Sequence, residues 1–80
     1  IVRRQVKLPI IYDGIEYDEY YTMDMLVNDC IVLELKNVET ILPVHKAQLL
    51  TYLRLSGFRL GFLINFNESN IGKGITRLIK

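Results

Sequence analysis

Apolar and polar positions alternate over the first half of this chain, and then the period changes. Between Gln5 and Tyr12, the residues Val6, Leu8 and Ile10 share one side of an extended segment, which predicts a strand. Asp13-Gly14 is a hairpin turn signal, because glycine takes positive φ without a Cβ clash. A second strand is predicted from Ile15 to Val27, bent or bulged in its acidic, tyrosine-rich first half. Asn28-Asp29-Cys30 marks the next turn and Ile31 to Val38 a third strand. From Leu42 to Ser56 the pattern turns helical, with Pro43 in the first turn and Ala47, Leu49, Leu50 and Leu53 as the apolar stripe. Arg54 suits the last turn and Gly57 the stop. Phe58 to Phe66 reads as a buried strand, Asn67 to Lys73 as a polar loop, and Gly74 to Lys80 as a short final strand. The order β-β-β-α-β-β defines an α/β or α+β domain with a mixed sheet. A right-handed crossover through the helix makes the fourth strand parallel to another.

The second hairpin interrupts an apolar run with Asp24, Glu34 and Lys36, and register decides whether these charges meet. A two-residue turn would send Asp24 and Glu34 to opposite faces. A three-residue turn, Asn28 to Cys30, pairs Val27 with Ile31, sets Asp24 opposite Glu34, and sets Thr22 opposite Lys36. One face then holds Met23, Met25, Val27, Ile31, Leu33 and Leu35, and the other Thr22, Asp24, Leu26, Val32, Glu34 and Lys36. A slip of one residue exchanges the faces, so the clean segregation favours the three-residue turn. Opposed carboxylates destabilise a sheet unless compensated. Two readings stay open: a seat for a divalent cation, or a solvated face with an ordinary Glu–Lys pair.

Eighty residues permit one small domain, 1–80, with one core. Hydrophobic residues make up 50% and charged residues 24%, a globular balance. A formal net charge of +1 argues against tight nonspecific DNA binding, though not against an enzyme meeting DNA in a local groove. No apolar run is long enough to span a bilayer, and Arg3-Arg4 breaks the apolar start at once, so no secretory signal is read. The single Cys30 fits a reducing compartment, and a cytoplasmic location is expected. Because the chain opens on Ile1, it is expected to be a segment of a longer protein or a processed product.

Asp24, then Glu34-Leu35-Lys36 on the next strand, then Gln48 and Tyr52 on the helix resemble the PD-(D/E)xK nuclease superfamily. The run from Pro43 to Arg54 and the later Gly61-Phe62-Leu63-Ile64-Asn65-Phe66 are similar to its GxxExxY family of small bacterial domains. An isolated Glu-x-Lys is weak; the three groups in this order, on strand, strand and helix, are more specific. The resemblance covers about Gln5 to Lys80 and implies a restriction-endonuclease-like core. It implies that Asp24 and Glu34, with the Leu35 carbonyl, bind Mg²⁺ or Mn²⁺, and that Lys36 activates or orients the attacking water. Gln48 and Tyr52 would support the site or position the nucleic acid, DNA ahead of RNA.

Two departures stand out. Met23 replaces the usual proline before the aspartate, and the naming motif belongs to a helix that would precede Ile1; Gly14-Ile15-Glu16-Tyr17 is not that motif. A core lacking its first helix would leave one sheet face to another copy, as in a homo-oligomer, or to an absent segment. The alternative to a nuclease is a non-catalytic binding or assembly module of the same fold. A third reading is an interaction domain whose hairpin charges form a salt bridge.

Other residues have plainer readings beside functional ones. Tyr52 suits a core aromatic with its hydroxyl at the edge, and Gln48 an exposed helix position. His45 shares their helical side but is more often structural. Asp18-Glu19-Tyr20-Tyr21 reads as a solvated strand edge, Asn65 and Asn67 as turn residues, and Cys30 as no nucleophile.

Overall fold

The computed structural model describes residues 1–67 and 72–80. Five strands and one helix follow in the order β1 (Val2–Tyr12), β2 (Ile15–Val27), β3 (Ile31–Lys36), α1 (Pro43–Ser56), β4 (Leu60–Asn65) and β5 (Ile75–Ile79). They form a single mixed sheet in sequence order: β1, β2 and β3 meander antiparallel, β4 lies parallel to β3, and β5 returns antiparallel. The helix makes the one crossover that a parallel β3–β4 pair requires. This is the α+β order expected, a restriction-endonuclease-like arrangement of one helix packed against a mixed sheet. Of the polar loop expected at Asn67 to Lys73, residues 68–71 lie outside the described residues.

Several boundaries differ from expectation, for local reasons. The first strand starts at Val2, which pairs with Val27, rather than at Gln5. The third ends at Lys36 instead of Val38, because the Val38 N–H is taken by Asn65 Oδ1 at 3.1 Å. Asn65 Nδ2 donates to the Val38 carbonyl at 2.8 Å, so one buried amide satisfies both backbone groups where the chain leaves the sheet. The fourth strand starts at Leu60, since the Phe58 N–H turns to Ser56 Oγ.

The helix begins as its sequence dictates, with Pro43 in the first turn. Leu42, at the cap, has no side-chain acceptor to offer; His45 Nδ1 instead accepts from the Leu42 N–H at 2.8 Å. Gly57 closes the helix in the left-handed region, φ 81°, donating to the Leu53 carbonyl at 3.0 Å. The buried stripe is Leu49, Tyr52 and Leu53. Ala47, expected in the stripe, is exposed and Leu50 is half-buried, so the buried side of the helix is turned toward Tyr52, which sits in the core as its aromatic reading suggests.

Leu49 and Leu53 enter one core with Leu8, Met23, Leu26, Val32 and Leu63. Gly61 lets the helix approach β4: a Cβ there would stand 2.9 Å from Leu49 Cδ1 and 3.2 Å from its Cγ. Because Leu49 is fully buried, it has little room to yield. Gly61→Val is expected to cost about 1–3 kcal/mol through overpacking, measurable as a lower urea midpoint at unchanged slope.

Val27 pairs with Ile31 and Met25 with Leu33, the register of a three-residue turn. Asn28 and Asp29 support that turn with φ of 52° each. The burial expected from this register is inverted. The face with Leu26, Val32 and Glu34 is the covered one. On the all-apolar face Met25, Val27, Ile31, Leu33 and Leu35 are only half-buried, although Met23 is buried. The helix packs on the charged face because its stripe meets Leu26, Val32 and Leu63 there.

Candidate active site

The site forms where β2 loses its backbone partners. The β2–β3 ladder stops at Met25–Leu33, one step short of Asp24 and Glu34. On the other side, the β1 pairing skips from Arg4–Met25 to Val6–Met23; Gln5, between them, has φ 51°. At this gap the carboxylates replace the ladder. The Asp24 N–H donates to Glu34 Oε1 at 3.1 Å, and the Leu35 N–H donates to Asp24 Oδ2 at 2.8 Å. Each carboxylate thus holds a backbone N–H of the opposite strand with one oxygen. Asp24 Oδ1 and Glu34 Oε2 are not used by the backbone. This exchange explains how two opposed acids are tolerated in a sheet: each is bonded to a donor that burial would otherwise orphan.

Glu34 is 2% exposed. Burial, above all, pushes its carboxyl from 4.5 up to about 7, against the lowering effect of the Asp24 N–H; the neighbouring Asp24 charge raises it further, and the Lys36 charge lowers it. Near neutrality it is therefore poised between neutral and ionised, as expected of a buried acid beside another.

Lys36 stands at the end of β3 and is half-buried. Its Nζ donates to Gln48 Oε1 at 2.8 Å, and Gln48 Nε2 donates to the Tyr52 hydroxyl at 2.9 Å. Among the described residues the ion pair found is Arg3–Asp29, at the surface; Lys36 forms none with either acid. The ordinary Glu–Lys bridge is thus not what the hairpin makes. Burial, then the Glu34 charge, hold the Tyr52 phenol above its usual range, so it stays a neutral hydroxyl. Since that oxygen accepts from Gln48, its own O–H remains to donate.

The five side chains singled out from sequence fall into two hydrogen-bonded groups, Asp24 with Glu34 and Lys36 with Gln48 and Tyr52, coupled through charge: Lys36 acts on Glu34, and Glu34 on Tyr52. Leu35 joins through its N–H to Asp24. His45 lines the adjoining groove with Lys36, Gln48 and Tyr52. Asp18, Glu19 and Tyr20 lie on the exposed hairpin, where Lys7 stacks over the Tyr20 ring at 4.6 Å. Cys30 is exposed and free. Tyr21, expected only at a solvated strand edge, has its ring 5.5 Å from that of Tyr52, tilted by 53°. No sequence signal marks that contact, because it depends on how the helix lies over β2.

Among the described residues, no three His, Cys, Asp or Glu side chains converge into a metal cluster. The donor set here is two carboxylates, all oxygen. That suits a hard cation such as Mg²⁺, which keeps several waters and typically takes one or two carboxylates plus substrate oxygens.

Fold and site together describe a restriction-endonuclease-like domain with an acidic pair, a lysine and a helix-borne glutamine. The family model of the PD-(D/E)XK nuclease superfamily matches residues 1–78, and the chain belongs to that superfamily. No curated protein and no solved structure matches it.

Proposed function

We propose that this chain is a divalent-metal-dependent nuclease domain of the GxxExxY kind, hydrolysing phosphodiester bonds of nucleic acid, with DNA the preferred substrate over RNA. The observation that carries this reading is the pair Asp24 and Glu34. They are drawn together at a gap in the sheet, each holding a backbone N–H of the other's strand, and no cationic side chain of the described residues is within ion-pair distance of either. A structural bridge would have closed on Lys36; here its ammonium is held beside the pair by Gln48.

Asp24 and Glu34, with the Leu35 carbonyl, would hold Mg²⁺ or Mn²⁺. Such a cation supplies Lewis-acid polarisation of a phosphoryl oxygen and a water acidic enough to attack at neutral pH. Lys36 places a fixed positive charge where negative charge develops on phosphorus-bound oxygen, and orients the incoming water. Gln48 orients the Lys36 ammonium, and Tyr52 orients Gln48. Both positioning groups sit one helical turn apart, so the helix sets their spacing.

Isothermal titration of the full chain with Mg²⁺ and Mn²⁺ tests the reading. Heat of binding is expected, and it should disappear in the double variant Asp24→Ala, Glu34→Ala. Binding that survives the double variant would move the cation elsewhere. Absence of both binding and cleavage would leave the non-catalytic module of the same fold as the better account.

A further inference from the structure

Beside Lys36 the helix and β2 enclose an open groove of about 490 Å³, lined by Tyr21, Lys36, Val44, His45, Thr51 and Tyr52 among others. Its size is within the range of small-molecule sites. Its chemistry differs from that of a track for a phosphate backbone. Lys36 is its one Lys or Arg, and the rest is two phenol rings, an imidazole, the Gln48 carboxamide, aliphatic carbon and the Thr51 hydroxyl.

We infer that this groove is a slot for one unpaired nucleobase flanking the scissile phosphate, so that the substrate is a single strand or a splayed end rather than closed duplex. The inference rests on the nuclease reading above for its phosphate; the slot itself is argued from its walls. Tyr21 is 39% exposed and its ring is braced by Tyr52, giving a fixed aromatic surface. Base stacking on such a surface is sequence-tolerant and worth about 1–3 kcal/mol per base. Facing groups can bond a base edge. His45 Nδ1 is occupied by the Leu42 N–H, which leaves the ring's N–H on Nε2. The Tyr52 hydroxyl keeps its proton to donate. Val44, 64% exposed on the first helical turn, supplies an apolar flank. A base still stacked in a duplex has both faces covered and its pairing edge taken, so it must leave the stack to enter.

The test separates binding from cleavage. An oligonucleotide carrying 2-aminopurine is titrated with the full chain in EDTA, and the same strand is assayed for cleavage with Mn²⁺ as single strand, flap and closed hairpin duplex. Quenching of the 2-aminopurine on binding is expected, weakened at least tenfold by Tyr21→Ala and by Val44→Glu. The second variant guards against misfolding, because an acid in the first helical turn favours the helix, so its melting temperature should not fall. Cleavage is expected to be at least tenfold faster on the single strand and the flap than on the duplex. It should also slow when an abasic residue is placed on one side of the cut.

Quenching indifferent to both variants, or equal cleavage of closed duplex, overturns the slot. Quenching without any cleavage supports the slot and counts against the nuclease reading. Cleavage without quenching supports the nuclease reading and counts against the slot.

Discussion

Replacing Lys36 by alanine is expected to lower cleavage about 10²–10³-fold, the usual loss when one preorganised charge is removed from a developing anion. The fold should persist. Lys36 is half-buried at a strand end, and its side-chain partner is Gln48, itself half-buried and able to turn to water. Cation binding should survive too, because the carboxylates are held by backbone N–H groups rather than by the lysine. Retained melting temperature and retained heat of Mn²⁺ binding, with lost turnover, is therefore the expected signature. Gln48→Ala should fall between wild type and Lys36→Ala, since it loosens the ammonium without removing it. A Lys36→Ala protein that cleaves at the wild-type rate would remove the lysine from the chemistry altogether.

The cation-free protein should lose stability as pH rises through neutrality. Glu34 ionises near 4.5 when unfolded and near 7 when folded. Below pH 4.5 both states hold the proton and the group makes no difference. Between these values the folded state keeps a proton that the unfolded state has released, so stability falls with rising pH. Above pH 7 both are ionised and the loss is complete, about 3 kcal/mol for a shift of this size. For a chain of 80 residues that is a large part of the total.

Urea unfolding in EDTA at pH 5 and pH 8 measures it, with Glu34→Gln as the control that removes the titration while keeping an acceptor for the Asp24 N–H. The difference between the two proteins should shrink from pH 8 to pH 5 in step with Glu34 protonation. On the proposed reading, in which the ionised pair holds the cation, Mg²⁺ or Mn²⁺ should restore stability at pH 8 and do little at pH 5. A wild-type profile parallel to that of Glu34→Gln would mean that Glu34 carries no such burden.

Local pattern was enough for much of this. Period-two alternation located β1 to β3, Gly57 located the end of α1, and face segregation alone selected the three-residue turn that sets Asp24 against Glu34. These are near-neighbour effects: a strand's two faces, a turn's length and a glycine's left-handed φ are all written within a few residues. Of the candidate site, the placement of Asp24 against Glu34 was legible from the register, whereas Gln48 and Tyr52 came from a family resemblance rather than from any pattern in the chain.

What covers which face was not legible. The all-apolar side of the hairpin promised burial, yet the helix settled on the side bearing the acids, because Leu49 and Leu53 find Leu26, Val32 and Leu63 there and Gly61 admits them. Tyr21 against Tyr52 and Asn65 against Val38 join positions 31 and 27 residues apart, and no local period encodes them. The sequence by itself determined the order of elements, the hairpin register and the identity of the charged residues. Only the tertiary structure decided that the β2–β3 ladder ends one step early, so that the acids bond backbone rather than lysine, and that the lysine turns to the helix. Those outcomes depend on non-local packing and on the burial of Glu34, which exist only once the helix lies on the sheet.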